Sequence, residues 1–404
     1  MTRKLKRTIA ALSAVTMMFT TATVLPEGMS FGLGTGITAF AAGTEPQSKD
    51  EASVTINGET LYYATLEEAF SAASGKTATI TMLNDAECSS TSGEALRVGK
   101  NSNITLNMNG KTLSGRGQGV GIINVGTGGS LLVQGPGTVK STNIGLSCDS
   151  SSANMTVENI TVDVLAASYG VKIPSGTVTL NNVQITGHAS KYAVYHSEGN
   201  TTINNLSATE TGYCDVYYYH QGTLKINGGT FDKISVKSDN SGGITSVSQL
   251  LGEGCIYRYA DKTWETAELS NTLEISNVTV EKIPLTINPQ AETSWYYNSA
   301  EHSLQMNAQP TTTGNEITYE WYDGDKKLEC VSDTYTVPKT TSIGSYTYTC
   351  KATCDGYTLS HDFTFTVEEC KHEGVEITFN NNGFGNCPKC NATVYQPATE
   401  TTDK

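Results

Sequence analysis

Short runs in which apolar residues fall on alternate positions recur along the middle of the chain, and they keep a register. The runs are LNMNGKTL, LLVQGPGTV, MTVENITV, VTLNNVQI, TTINNLSA, TLKINGGTF and TLEISNVTV. Alternation is the period of a half-buried strand. Aligned on Met108, Val133, Val157, Leu180, Ile203, Ile226 and Ile275, the runs are spaced by 25, 24, 23, 23, 23 and 49 residues. The last interval is about two periods, so an irregular unit is expected between Ile226 and Ile275. Two residues after each anchor stand Gly110, Gly135, Asn159, Asn182, Asn205, Gly228 and Asn277. Gly and Asn are the residues that tolerate the left-handed backbone of a sharp corner, and stacked Asn amides can hydrogen-bond along a column. Such a unit cannot bury its apolar side alone, so the predicted folding unit is a stack of seven or eight coils with the anchors inside.

A β-sandwich would not keep a fixed 23-residue register. The repeat resembles the pectate-lyase-like right-handed parallel β-helix family over roughly residues 80–283. The fold class expected is therefore all-β: a right-handed parallel β-helix at 53–283, with an N-terminal cap at 53–94. In the cap, Thr65 and Glu68 form a capping box, and Leu66, Ala69, Phe70 and Ala73 have helical spacing. The strand Ala78–Met82 would follow. This segment resembles the entry region of many Gram-positive β-helix proteins.

Beyond Ile283 the pattern changes to separate alternating strands. ITYEWYDGDKKL reads as a strand, an Asp-Gly turn and a second strand. DTYTVP, GSYTYTCKAT and HDFTFTVEE bring the set to about seven. With Trp321 as the core tryptophan and Tyr348 two residues before Cys350, residues 284–369 resemble a bacterial Ig-like domain. The early strand offers Leu304 or Met306 where such domains can carry a cysteine, so Cys350 is expected as a buried thiol. Cys330 and Cys354 are the pair that could bridge instead.

Composition and charge then narrow location and function class. Charged residues make up 16% of the 404 residues and the net charge is −14, which argues against a nucleic-acid binder. Arg3, Lys4, Lys6 and Arg7 precede an apolar stretch and an Ala39-Phe40-Ala41 cleavage pattern. Residues 1–41 therefore read as a signal peptide of the long Gram-positive kind, with residues 42–52 as a linker. Its removal leaves 22 basic against 39 acidic side chains, a charge of −17. The expected location is secreted, extracellular or cell-wall associated, with no membrane span in the mature chain.

Three groups of residues carry candidate chemistry. In the tail, Cys370 and His372 precede Cys387 and Cys390, and three thiols with one imidazole suit a closed structural zinc site. This defines a small Cys/His module at 370–397, followed by a flexible tail at 398–404. Two disulfides, or one disulfide with free thiols, are the alternative that export allows. On the solenoid, Lys172, Tyr195 and Tyr218 each lie eight residues before an anchor and are expected to form an outward ladder, with His196 and His220 beside it. Coils about 4.8 Å apart would present one such side chain per sugar ring. The same ladder could also serve only to stiffen the stack. Enzymes that resemble this fold line a groove with carboxylates, yet residues 95–148 contain no Asp or Glu. Asp215 with Glu198 or His220 is the remaining catalytic candidate. The function expected is non-catalytic recognition of a glycan or a host protein. The alternatives are a polysaccharide lyase or glycoside hydrolase, and a structural stalk.

Overall fold

The computed structural model describes residues 43–88, 96–165, 169–187, 191–209, 212–237, 243–259, 269–291, 293–297, 299–339 and 341–396. The leader expected at 1–41 and the tail at 398–404 lie outside the described residues. Strands dominate, and residues 77–236 wind into a parallel β-solenoid of about six turns. Each coil contributes three strands, one to each face. The first face is the parallel run Thr77–Met82, Asn103–Asn107, Ser130–Gln134, Asn154–Glu158, Thr177–Asn181, Asn200–Ile203 and Thr223–Ile226. Its inward column is Ile80, Leu106, Val133, Val157, Leu180, Ile203 and Ile226, each 0% exposed.

The register corrects the sequence alignment at both ends. Leu106, not Met108, stacks on Val133, because the first coils are longer than 23 residues. Ile275 belongs to no coil. Its strand, Glu274–Lys282, runs antiparallel to Gly229–Val236, with Ile275 opposite Ile234. Within the double-length interval the chain first makes an irregular return, with Leu251 in an isolated parallel bridge to Ile226, and then closes on the antiparallel pair Cys255–Tyr259 with Glu274–Lys282; the coils number about six, fewer than expected. Gly229–Val236 joins the other two faces by pairing with both Leu206–Ala208 and Cys214–Tyr218.

The first corner carries the expected amide column. Asn182 Nδ2 donates to Asn159 Oδ1 and Asn205 Nδ2 to Asn182 Oδ1, both at 3.1 Å. Asn159 and Asn182 are left-handed, with φ of 55° and 51°; Asn205 is not among the positive-φ residues. A parallel row, Asn181–Asn204–Asn227, runs beside it at 2.6 and 2.7 Å. Another corner is turned by Gly176, Gly199 and Gly222, with φ of 99°, 90° and 87°. A methyl group on Gly199 would lie 2.1 Å from the Gly176 carbonyl oxygen, so both the backbone and the stacking demand glycine there.

At the N-terminal end, the helix Leu66–Ala73 packs on the strands Ala52–Ile56 and Thr77–Met82. Thr65 Oγ1 accepts from the Glu68 N–H at 3.2 Å, and Leu66, Ala69, Phe70 and Ala73 are its buried side, as their spacing predicts. Glu51 Oε2 accepts from the Leu66 N–H at 2.8 Å, placing a carboxylate at the positive end of the helix.

Residues 285–368 have a core of their own. A five-stranded sheet orders Ser294–Tyr296, Tyr357–Glu368, Gly344–Cys354, Ile317–Asp323 and Lys326–Lys327. Leu304, Met306, Trp321 and Cys350 are each 0% exposed. Trp321 Nε1 donates to the Ser332 carbonyl at 2.8 Å, which satisfies the one polar atom of a buried indole. Cys330 and Cys354 are not bonded to one another; both are free thiols, and the Cys330 sulfur lies 3.3 Å from the Thr334 carbonyl oxygen. No helix among the described residues is long and apolar enough to cross a membrane.

Candidate metal centre and tyrosine face

The tail is built on a short antiparallel pair, Phe384–Asn386 with Thr393–Tyr395. Between the strands, Cys387 to Cys390 form a tight turn. The Cys387 N–H donates to the Ala392 carbonyl at 2.9 Å, and the Asn391 N–H returns to the Cys387 carbonyl at 2.7 Å. Both thiols of the turn are buried and point the same way. His372 sits in left-handed backbone, φ 59°, which swings the chain back toward them. The Cys370 sulfur lies 3.7 Å from His372 Nδ1 and 3.7 Å from the Cys387 sulfur, and the Cys390 sulfur lies 3.7 Å from His372 Nδ1. One donor atom from each of the four residues falls within 4.8 Å of the others, so the group could hold a metal ion. Burial raises the Cys387 thiol, but hydrogen bonding from His372 and the backbone of Cys390 and Lys389 outweighs it and brings the thiol down to about 6. Cys390 is pushed up to about 11, chiefly by burial.

On the solenoid, an aromatic field occupies one face, with a different membership from the expected ladder. Lys172 aligns with Tyr195, and Tyr195 aligns with Tyr217 rather than Tyr218. The step from Tyr195 to Tyr217 is 22 residues, one short of the anchor spacing, so counting back from Ile226 selects the wrong tyrosine. Tyr218 turns inward instead. It is 0% exposed, stacks on His196 at 5.2 Å, and donates its hydroxyl to the Gly222 carbonyl at 3.0 Å. His196 is likewise 0% exposed. Its Nε2 is 2.9 Å from the Gln221 carbonyl and must carry the proton, so Nδ1 accepts from the Thr201 hydroxyl at 2.9 Å. Burial lowers the ring to about 4, against the opposing bond to Gln221. Tyr218 and His196 are therefore core residues and do not meet a ligand on the outer face.

The outward rings are Tyr169, Tyr192, Tyr195, Tyr213, Tyr217 and Tyr219. Tyr192 stacks on Tyr217 at 4.6 Å and 11°, and on Tyr169 at 5.9 Å and 20°. Tyr195 lies 5.3 Å from Tyr169 and 5.6 Å from Tyr219. Much of the ring-face area is thus taken by other rings, while Tyr213 stands edge-on to Tyr192 and remains 55% exposed. Burial raises the Tyr195 phenol to about 12. Lysines surround the field. The Lys172 and Lys191 ammonium groups lie 5.7 and 5.8 Å from the centre of the Tyr169 ring, Lys233 lies 5.3 Å from Tyr213, and Lys237 lies 4.3 Å from Tyr219. Lys172 also donates to the Gly119 carbonyl at 3.0 Å, and Lys233 pairs with Glu274 at 2.9 Å. His220 is half-buried at the margin, 6.3 Å from Tyr219.

The structure does not assemble the carboxylate candidates. Asp215 is 0% exposed, and its Oδ2 accepts from the backbone N–H groups of Asp232 and Lys233 at 2.5 and 3.2 Å. It occupies the column of Gly145, Gly170 and Ala193, where a side chain meets the neighbouring wall of the solenoid. Glu198 is exposed in the corner after Tyr192–His196. Sequence reasoning missed Tyr169, Tyr192 and Tyr213; it places Tyr219 beside the ladder, as found, but puts Tyr217 on the side opposite to it. Tyr169 and Tyr192 were detectable, since each stands eleven residues before an anchor of the same repeat.

Comparison with protein-family models, with curated proteins and with solved structures found no match to this chain.

Proposed function

We propose that this chain is a secreted, modular recognition protein that binds a glycan on its tyrosine face without cleaving it. The observation that carries the reading is the field of six outward tyrosines with lysines at its margin. Ring stacking alone explains Tyr169, Tyr192 and Tyr217 as stiffeners of the stack. It does not explain Tyr213, a large ring left 55% exposed beside them. An aromatic ring open to solvent on a rigid support, next to phenolic hydroxyls and ammonium donors, suits the apolar face and hydroxyl rim of a sugar. Asp215, held by backbone N–H groups, supports the non-catalytic part of the reading. On the same proposal, residues 284–369 are an Ig-like spacer and residues 1–41 direct export.

A glycan array probed with the wild type, Tyr213→Ala and Tyr217→Ala tests the reading beside assays for reducing sugars and unsaturated products. Binding by the wild type that falls at least about tenfold in Tyr213→Ala is the expected result. Full binding by both variants would leave the tyrosines as scaffold. Binding to proteins and to no glycan would make the partner a protein. Release of oligosaccharides would make the protein an enzyme.

A further inference from the structure

We propose that Cys370, His372, Cys387 and Cys390 hold one zinc ion in a closed tetrahedral site, and that this ion is what folds residues 370–396. The inference is independent of what the solenoid binds.

The spacing of the donor atoms carries it. In a regular tetrahedron the ligand–ligand edge is about 1.63 times the metal–ligand distance. With zinc–sulfur near 2.3 Å and zinc–nitrogen near 2.1 Å, sulfur–sulfur edges should be about 3.8 Å and sulfur–nitrogen edges about 3.6 Å. The sulfur–sulfur edge Cys370–Cys387 is 3.7 Å, and the two sulfur–nitrogen edges to His372 Nδ1 are 3.7 Å. Three of the six edges therefore have the length that a zinc shell requires, and all four donor atoms lie within 4.8 Å of one another. A disulfide would bring two sulfurs to about 2.0 Å and would leave the imidazole with no reason to face them.

The donor set selects the metal. Calcium and magnesium take oxygen ligands, and no carboxylate belongs to this group. Three sulfurs and one imidazole nitrogen in a tetrahedral arrangement suit zinc, which has no competing geometric preference. Four protein ligands fill the shell, leaving no open position for a substrate or an activated water. Each thiol gives its proton to solvent as its sulfur takes the ion, and no electron is transferred.

The segment needs the ion. Its two strands are three residues each, and the side chains it buries among the described residues are those of Cys387 and Cys390. A core made of the ligands themselves supplies little apolar burial, so metal-binding free energy must stand in for it. Lys389, inside the knuckle, places its ammonium 6.0 Å from the centre of the Tyr296 ring, on the edge strand of the preceding sheet.

The full chain, produced under reducing conditions, should carry one zinc per chain by plasma mass spectrometry. Cobalt(II) exchanged into it should give the intense visible bands of a tetrahedral thiolate site. His372→Ala should weaken zinc binding more than about tenfold, while His372→Cys should restore it. Restoration by cysteine marks a ligand, because a merely packed imidazole would not be replaced by a thiol. The proposal is overturned by metal-free protein with Cys387 disulfide-bonded, by a cobalt spectrum of octahedral type, or by unchanged affinity in His372→Ala.

Discussion

Replacing Asn182 separates two forces that act at the same corner. Its backbone is left-handed, φ 51°, and its exposed side chain is bonded to Asn159 and Asn205. The left-handed backbone costs an ordinary residue about 1–2 kcal/mol; asparagine softens that cost and glycine abolishes it. Each amide bond contributes about 0.5–1.5 kcal/mol, and exposure to water places these two at the low end, together about 1 kcal/mol. Asn182→Val loses both contributions, so about 2–3 kcal/mol is expected. Asn182→Gly keeps the backbone and loses the bonds, so about 1 kcal/mol is expected. Asn205→Ala breaks its bond to Asn182 without a positive φ and should cost less than 1 kcal/mol, or about 0.5. Guanidinium unfolding of the full chain, followed by far-ultraviolet circular dichroism, reads all three. If Asn182→Gly is as destabilised as Asn182→Val, the amide column dominates and the argument from backbone strain is wrong.

His196 should stay neutral in the folded protein. Below the usual imidazole value of 6.5 the unfolded chain gains a proton that the folded one refuses until about 4, so stability falls as pH drops through that window, by about 3 kcal/mol in all; a ring resonance titrating near 6.5 in the native protein would refute this. Asp215→Ala leaves the Asp232 and Lys233 N–H groups without their acceptor and should destabilise by about 1–3 kcal/mol in the same unfolding assay, with ligand binding at the tyrosine face kept in the protein that remains folded. Gly145→Ala should cost about 1–3 kcal/mol, since the new methyl would lie 2.6 Å from the Gly170 carbonyl oxygen and 2.7 Å from Val162; an unchanged midpoint would mean the wall yields.

The parallel stack was legible because its two causes are local. Alternation marks the inward side of a strand, and the asparagines at 159 and 182 carry the backbone of the corner in their own chemistry. The glycines at 176, 199 and 222 keep the same 23-residue spacing and were equally readable, but a lone glycine in a loop has no apolar neighbour to draw attention to it. The finish of the stack was not legible. Whether the strand at Ile275 runs with or against its neighbour depends on the path of the connection, and alternation is identical in both cases. The choice between Tyr217 and Tyr218 turned on a single residue gained or lost between anchors, and one residue reverses the face of a strand. The tail differs again. Four ligand residues announce themselves by type and spacing, whereas the common distance of 3.7 Å exists only once the chain has folded back.

The antiparallel strand Glu274–Lys282 has a meaning for assembly as well as for folding. A stack of parallel coils ends in a row of free N–H and C=O groups spaced to accept another coil, so nothing in the repeat itself limits its length or prevents a second molecule from continuing it. Laying Glu274–Lys282 against Gly229–Val236 in the opposite direction changes the spacing of those groups from the evenly slanted pattern of parallel strands to the paired pattern of antiparallel ones. Cys255–Tyr259 then covers the far side of Val278–Lys282, again antiparallel, so no parallel template is left there for a further coil. The strand works as a full stop for the sheet it joins, while the first face ends on Thr223–Ile226 with a single parallel bridge from Ile226 to Leu251.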